Sequence, residues 1–178
     1  MPETDEQRFK RLDAMRGPAK VTNYSALYNV GVASLSRNGG MPMKEAEAFL
    51  KAFWDMNWSI KQVAKDAYVR TLKDGSMWVK NPVSGFFYSL RNDRDTWSTL
   101  NQGTGVMIVD LWIMFMRKKG LVVSMQYHDE VLVYTGSNKK AEVQKLMEEA
   151  MQQVNDTLKL NVTLNIDVNF GDSYAEAH

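Results

Sequence analysis

Leu121-Val122-Val123-Ser124-Met125-Gln126-Tyr127-His128-Asp129-Glu130-Val131-Leu132-Val133-Tyr134 is the stretch whose reading decides the fold. Two apolar, β-branched runs flank a His-Asp pair suited to a tight turn, which predicts strand, turn, strand. Val123, Met125 and Tyr127 alternate with Ser124, Gln126 and His128, the two-residue period of a strand. The turn sets Asp129 and Glu130 together at the hairpin tip, near enough to share a divalent cation. Two carboxylates side by side in a dry site repel, and a cation between them relieves the repulsion. A solvated turn is the plainer reading, since Asp is common in turns. The apolar flanks favour the cation, because they place the pair between two buried strands.

Downstream of the hairpin, residues 138–158 read as an amphipathic helix. Residues 162–170 alternate Val162, Leu164, Ile166, Val168 and Phe170 on one face, which predicts a half-buried strand. Upstream, residues 96–118 form a long helix that opens polar and becomes strongly apolar, so its second half is buried. Residues 76–90 predict a β-hairpin around the turn signals Asn81-Pro82 and Ser84-Gly85. Residues 43–73 read as a helix, broken at Asn57-Trp58-Ser59 and ended by Asp74-Gly75. Residues 37–42 are a loop. Residues 17–28 are helical, with Pro18 tolerable because it falls in the first turn. Before them, Thr4 caps a first helix whose opening turn carries Asp5 and Glu6. The fold class is α+β.

Composition limits the chemistry. The chain has 178 residues, 44% of them hydrophobic and 24% charged, enough to bury a core without disulfides or structural metals. It has no cysteine and only two histidines, His128 and His178. That excludes a disulfide scaffold, a thiol nucleophile, cysteine-ligated zinc or iron–sulfur sites and a multi-histidine centre. Carboxylates and carbonyls remain as ligands, which favours a hard ion such as magnesium. The N-terminal stretch lacks the apolar run of a signal peptide, and residues 106–116, interrupted by Asp110, are too short to span a bilayer. A soluble, intracellular protein with no membrane partner is expected. The net charge of +1 hides an asymmetry: residues 1–120 carry 18 Lys/Arg against 12 Asp/Glu, residues 121–178 carry 4 against 9. Such a split fits a polyanion on one side and a cation on the other, or simply unevenly solvated faces.

Two stripes stand out in the basic part. Arg16, Lys20 and Tyr24 are spaced by four, so they share one helix face, with Tyr28 one turn on. Two cations and an aromatic ring in a row suit a nucleoside triphosphate, the cations for phosphate and the ring for sugar and base. A surface helix with two basic residues and a core tyrosine would show the same spacing. Arg94, Ser98 and Gln102 form a second stripe near the start of the long helix, and Gly103-Thr104-Gly105 permits close backbone approach. Arg and Gln can donate to minor-groove acceptors that nearly every base pair presents alike, a sequence-blind readout.

Taken together, these segments resemble family A DNA polymerases, the family of bacterial DNA polymerase I and many phage replicases. Arg16-Gly17-Pro18-Ala19-Lys20-Val21-Thr22-Asn23-Tyr24 through Tyr28-Asn29 resembles that family's fingers-helix motif. Leu100-Asn101-Gln102-Gly103-Thr104-Gly105 is similar to its Gln-Gly-Thr-Ala helix, Met125 to Glu130 to its His-Asp-Glu palm motif, and Gly171 to His178 to its C-terminus. The matches come in family order. The resemblance implies a mostly helical fingers region plus part of an antiparallel palm sheet that carries the His-Asp-Glu hairpin. It divides the chain into residues 1–92, with the N-terminal helix, fingers helices and β-hairpin, and residues 93–178, a partial palm. Arg16 and Lys20 would bind the phosphates of an incoming dNTP, Tyr24 would stack on its sugar and base, and Tyr28 would lie near the templating base. Arg94 and Gln102 would contact the minor-groove side of the primer–template, and His128 the primer-terminal backbone. Asp129, assisted by Glu130, would hold magnesium in a two-metal site, so that Asp129, Lys20, Glu130 and His128 form the catalytic set. The resemblance places the chain in the cytoplasm of a bacterial cell, with a bacterial or phage gene as its source.

The sequence also departs from that pattern. Ser25 and Asn29 stand where the family has Gly, Ser98 where it has a DNA-contacting Asn, and Phe86 where it has Arg. The family's other catalytic aspartate sits in a palm strand before the fingers helix, and Asp5 and Asp13 lie in a polar helical segment instead. The expectation is therefore a split polymerase. Its opening Met1-Pro2-Glu3-Thr4 would be a natural start. A second polymerase chain would supply the thumb and the first catalytic aspartate, covering an open edge or apolar face of the sheet around residues 121–133. This chain alone would be inactive. A non-catalytic nucleic-acid-binding module derived from a polymerase, and an experimental fragment of one longer enzyme, are the alternatives.

Overall fold

In the computed structural model, whose described residues are 4–177, helix α1 (Asp5–Leu27) opens the chain. Thr4 caps it as expected: the Gln7 N–H donates to the Thr4 hydroxyl at 3.3 Å, and the Gln7 side chain accepts from the Thr4 N–H at 3.1 Å. Such a cap contributes about 1 kcal/mol. The expected start at Met1-Pro2-Glu3 and the terminal His178 lie outside the described residues. The two helical stretches expected here are one helix, with Pro18 inside it. Proline removes one N–H, so the Ala14 carbonyl loses its helical partner; in this exposed stretch water can replace it. Only Thr22 and Ala26 of α1 are buried.

Helix α2 (Val32–Gly39) replaces much of the loop expected at 37–42. It is short and flanked by glycines, which hides it from a periodicity reading; Leu35, fully buried, anchors it. Gly40 ends it at φ 63°, where a side chain would be strained. Helices α3 (Met43–Met56) and α4 (Trp58–Asp66) meet at Asn57, whose side-chain amide donates to the Phe53 carbonyl at 2.8 Å. The break is where the sequence placed it. The helix does not run on to Lys73, however. Val69–Thr71 forms strand β1, because the register with its neighbour buries Val69 against Val79. Strands β2 (Met77–Lys80) and β3 (Phe87–Leu90) complete an antiparallel sheet in the order β1-β2-β3. Val79, Leu90 and Leu100 form the core beneath it, and the buried Asn81 amide donates to the Leu100 carbonyl at 2.9 Å.

The chain up to Asn81, with Phe86–Asn101, makes one compact unit; Pro82–Gly85 and the chain from Gln102 onward make a second. Helix α5 (Thr96–Lys118) has the expected bounds and runs from the first unit into the second. In the second unit follow β4 (Val123–Tyr127), β5 (Glu130–Val133), α6 (Lys140–Leu158) and the short α7 (Tyr174–Ala177). The apolar half of α5 packs on α6: Trp112, Met116, Met147 and Val154 lie in one core, with the Trp112 indole donating to the Met147 carbonyl at 3.1 Å. Lys119 and Glu149 join the same two segments by an ion pair of 2.8 Å.

Residues 162–170 correct the sequence reading. Leu164, Ile166, Val168 and Phe170 alternate half-buried as expected, yet no ladder forms and the segment is not a strand. A strand needs a neighbour for its N–H and C=O groups. Here the side chain of Asn155 satisfies both groups of Leu164, each at 2.9 Å. Among the described residues no helix is long and apolar enough to cross a membrane.

Candidate functional sites

The fourfold spacing of Arg16, Lys20 and Tyr24 lies on an unbroken helix, so the three share one face of α1. The Lys20 ammonium stands 5.8 Å from the centre of the Tyr24 ring. Both line an open cleft of about 750 Å³, together with Gly17, Ser25, Tyr28 and Val30. Tyr24 and Tyr28 are 51% and 42% exposed on the cleft, and the Tyr24 ring can take a planar ligand. Arg16 is exposed one turn earlier and is not part of the cleft wall.

Tyr28 ends the helix and Asn29 turns the chain with φ 57°, a left-handed conformation that Asn tolerates better than most residues. From there the Asn29 amide donates to the Arg94 carbonyl at 3.1 Å. This link between two predicted contact regions was not visible in the sequence. Arg94 itself lies in the 3₁₀ turn Asp93–Asp95, with its N–H on the Asn92 side chain at 3.0 Å, rather than on the long helix. The expected helical stripe therefore begins at Ser98, whose hydroxyl donates to the Asp95 carbonyl at 2.9 Å. Gln102 is exposed on α5, next to the buried Gly103.

In the second unit, Tyr127 pairs with Glu130 across the end of the β4–β5 ladder, and His128 and Asp129 make the turn. His128 has φ 54°, the sign that two-residue hairpin turns demand at their first position. Its ring meets Tyr127 edge-on at 4.5 Å. Asp129 is exposed and Glu130 half-buried. The expected dry setting between buried strands is not what the tip has: β4 is exposed from Ser124 to Tyr127, because the two-stranded sheet buries at most one face. The Tyr174 hydroxyl of α7 hydrogen-bonds the Glu130 carboxylate. Partial burial, the negative charge of Glu130, the nearby Tyr127 and that hydrogen bond hold the Tyr174 hydroxyl above its ordinary pKa. Gly171 lets the tail fold this tightly: a Cβ there would meet the Glu176 Cβ at 2.6 Å and the Ala177 nitrogen at 2.7 Å. Tyr174 is the site residue that residue-by-residue reading missed; its only sequence signal was the family-like ending.

Among the described residues no three His, Asp or Glu side chains cluster to hold a metal. Asp129 and Glu130 offer two hard oxygen donors on adjacent residues, which fits part of a magnesium site rather than a whole one.

The sequence model of DNA polymerase family A matches residues 5–176. DNA polymerase I of Bacillus subtilis is 28% identical over 181 residues, covering 92% of this chain and 20% of that protein. The thermostable DNA polymerase I of Thermus thermophilus is 26% identical over 177 residues, covering 92% of this chain and 21% of that protein. The chain thus spans about a fifth of the length of the curated relatives it matches. Among solved structures, the POL domain of Pol1 from M. smegmatis, in complex with DNA primer-template and dNTP, superposes with a TM-score of 0.61 at 20% identity. That likeness covers 98% of this chain and 32% of the other, and it shows a shared fold.

Proposed function

The chain belongs to DNA polymerase family A, and from that premise we propose that it is the dNTP-, DNA- and magnesium-binding portion of a template-directed DNA polymerase. The observation that carries this reading is the cleft on α1, which one cation, Lys20, and two aromatic side chains, Tyr24 and Tyr28, line together. Lys20, with Arg16 one turn away, offsets the charge of the triphosphate, and most of all the charge that develops on the transferring phosphoryl group. Tyr24 orients the nucleotide by stacking on its sugar and base, and Tyr28 lies by the templating base. Arg94 and Gln102 donate to the minor-groove side of the primer–template. His128 positions the primer-terminal backbone.

Asp129 and Glu130 hold magnesium through hard carboxylate oxygens. Magnesium held there would supply activation of the primer 3′-hydroxyl and charge stabilisation of the leaving pyrophosphate. Two donors do not build a two-metal site, and the sequence before Arg16 offers no aspartate in an apolar strand. In our reading a second chain supplies the thumb and the other catalytic aspartate, and the reaction runs in the bacterial cytoplasm. We take residues 1–92 as the fingers part and 93–178 as the partial palm.

The test is primer extension with magnesium and dNTPs, with the 178-residue chain alone and after mixing with a chain carrying the missing palm strand and thumb. Extension by the mixture only is the expected result. Extension by this chain alone would sink the two-chain assignment. In the active mixture, Asp129→Ala should cut extension by more than about 10³-fold, the scale of several kcal/mol of lost transition-state stabilisation. Unchanged extension would favour a non-catalytic DNA-binding module.

A further inference from the structure

The β1-β2-β3 sheet buries one face through Val69, Val79 and Leu90. Its register fixes what the opposite face carries. Tyr68, whose carbonyl accepts from the Lys80 N–H at 2.9 Å, shares a row with Lys80 and Phe87. Arg70, Trp78 and Ser89 make the next row. The rows are about 6.7 Å apart, two residues of strand. Tyr68 is 60% and Phe87 45% exposed, and their rings meet edge-on at 6.1 Å. Arg70, Lys80 and Ser89 are exposed and Trp78 is half-buried.

Single exposed aromatics need no explanation, but two exposed rings and a half-buried third on one sheet face, interleaved with cations, do. No carboxylate shares either row, and neither Arg70 nor Lys80 has an ion-pair partner among the described residues. The bias extends around the sheet. Residues 61–91 hold Lys61, Lys65, Arg70, Lys73, Lys80 and Arg91 against only Asp66 and Asp74. Both carboxylates are occupied locally, by Gln62 and Ser76. A purely apolar occupant would leave the two cations unmatched, whereas a polyanion with flat, unpaired rings satisfies both kinds of side chain. Unpaired bases stack on aromatic rings, and the phosphates run along the cations. Duplex DNA hides its base faces and could use only the charges.

We propose that this open sheet face binds single-stranded nucleic acid, with Tyr68, Trp78 and Phe87 as the stacking platform and Arg70 and Lys80 as the phosphate contacts. The face shares no residue with the α1 cleft or the hairpin tip, and the proposal rests on neither.

The test titrates the full 178-residue chain into fluorescein-labelled (dT)₂₀ and a blunt duplex at several salt concentrations, reading anisotropy. The parent chain should prefer the single strand. Tyr68→Ala/Phe87→Ala should weaken (dT)₂₀ binding at least tenfold, while Tyr68→Phe/Phe87→Tyr keeps it. Arg70→Gln/Lys80→Gln should flatten the salt slope by about 1.4, two single-strand phosphates at ~0.7 each. Photo-crosslinking of 5-iodouracil oligonucleotides to the unmodified chain should mark peptides holding Tyr68, Trp78 or Phe87, which covers the case of a variant that misfolds. The proposal is overturned by crosslinks confined to other segments, or by a folded Tyr68→Ala/Phe87→Ala chain that binds within twofold of the parent. Sedimentation showing that this variant only disperses a self-associated species, with DNA affinity intact, would assign the face to a second copy instead.

Discussion

Lys20 and Tyr24 lie on one face of α1 because four residues make a little over one helical turn. The roles proposed for them separate in kinetics. In the reconstituted enzyme, Lys20→Ala should lower kcat/KM for dNTPs by roughly 10²–10³-fold, the range for losing one preorganised charge donor at a developing anion. Tyr24→Ala should act mainly through KM, because the proposed stacking would hold the nucleotide in ground and transition states alike. Steady-state dNTP titrations of both variants check the split; equal effects on kcat and KM in the two would contradict it. At the other site, Gly171→Ala places a methyl where the Glu176 Cβ and Ala177 nitrogen stand. The tail must open, and the Tyr174–Glu130 hydrogen bond should go with it, read as a Tyr174 titration returning toward the ordinary tyrosine value.

At the scale of elements, the second unit depends on α5 packing against α6. Met116 is fully buried there, and Met116→Ala should cost roughly 2–5 kcal/mol in urea unfolding, the range for emptying a core position. The Lys119–Glu149 pair ties the same segments near the surface. The Lys119 ammonium, through its hydrogen bond and its charge, holds the Glu149 carboxyl below the ordinary glutamate value. A carboxylate depressed in the folded state stabilises above its unfolded pKa, and that contribution fades as pH falls through the folded value. Glu149→Gln should therefore lower Tm at pH 7, and the gap to the parent should close in acid. A gap that persists at low pH would assign the effect to packing. In α1, Pro18→Ala should raise far-UV helicity, because the substitution restores one N–H and removes a helix-breaking ring. Elements with long or strict periodicity were legible in sequence: α5, α6 and the β4–β5 hairpin. Two departures needed other forces. β1 is a strand because β2 offers a partner, whereas residues 162–170 pack on the core through Leu164 and Ile166 without pairing to a strand, and Asn155 takes up the Leu164 backbone groups.

At the scale of the molecule, β4 and β5 form a sheet of two strands among the described residues. Val122, Tyr127 and Tyr134 stand 74%, 58% and 91% exposed beside it, and two strands alone are marginal in water. In the two-chain reading, the partner's strand pairs there. Hydrogen exchange of residues 123–133 should then slow by at least tenfold when the complementing chain is added, with no such change in α3 or α4. Uniform slowing, or none at residues 123–133, would count against pairing at that sheet.

The sequence by itself determined the family, the order of the motifs and the local geometry of two of them, the Arg16–Tyr24 helix face and the His128-Asp129 turn. Fourfold spacing fixes a helix face, and His-Asp between alternating apolar runs fixes a turn, because both follow from backbone period alone. Only the tertiary structure decided that Asn29 reaches Arg94, that Tyr174 reaches Glu130, and that Tyr68, Trp78 and Phe87 share an open face with Arg70 and Lys80. Those contacts join residues far apart in the chain or depend on strand register. Register and long-range contact are settled by burial and by which hydrogen-bonding partners are present, neither of which a local pattern records.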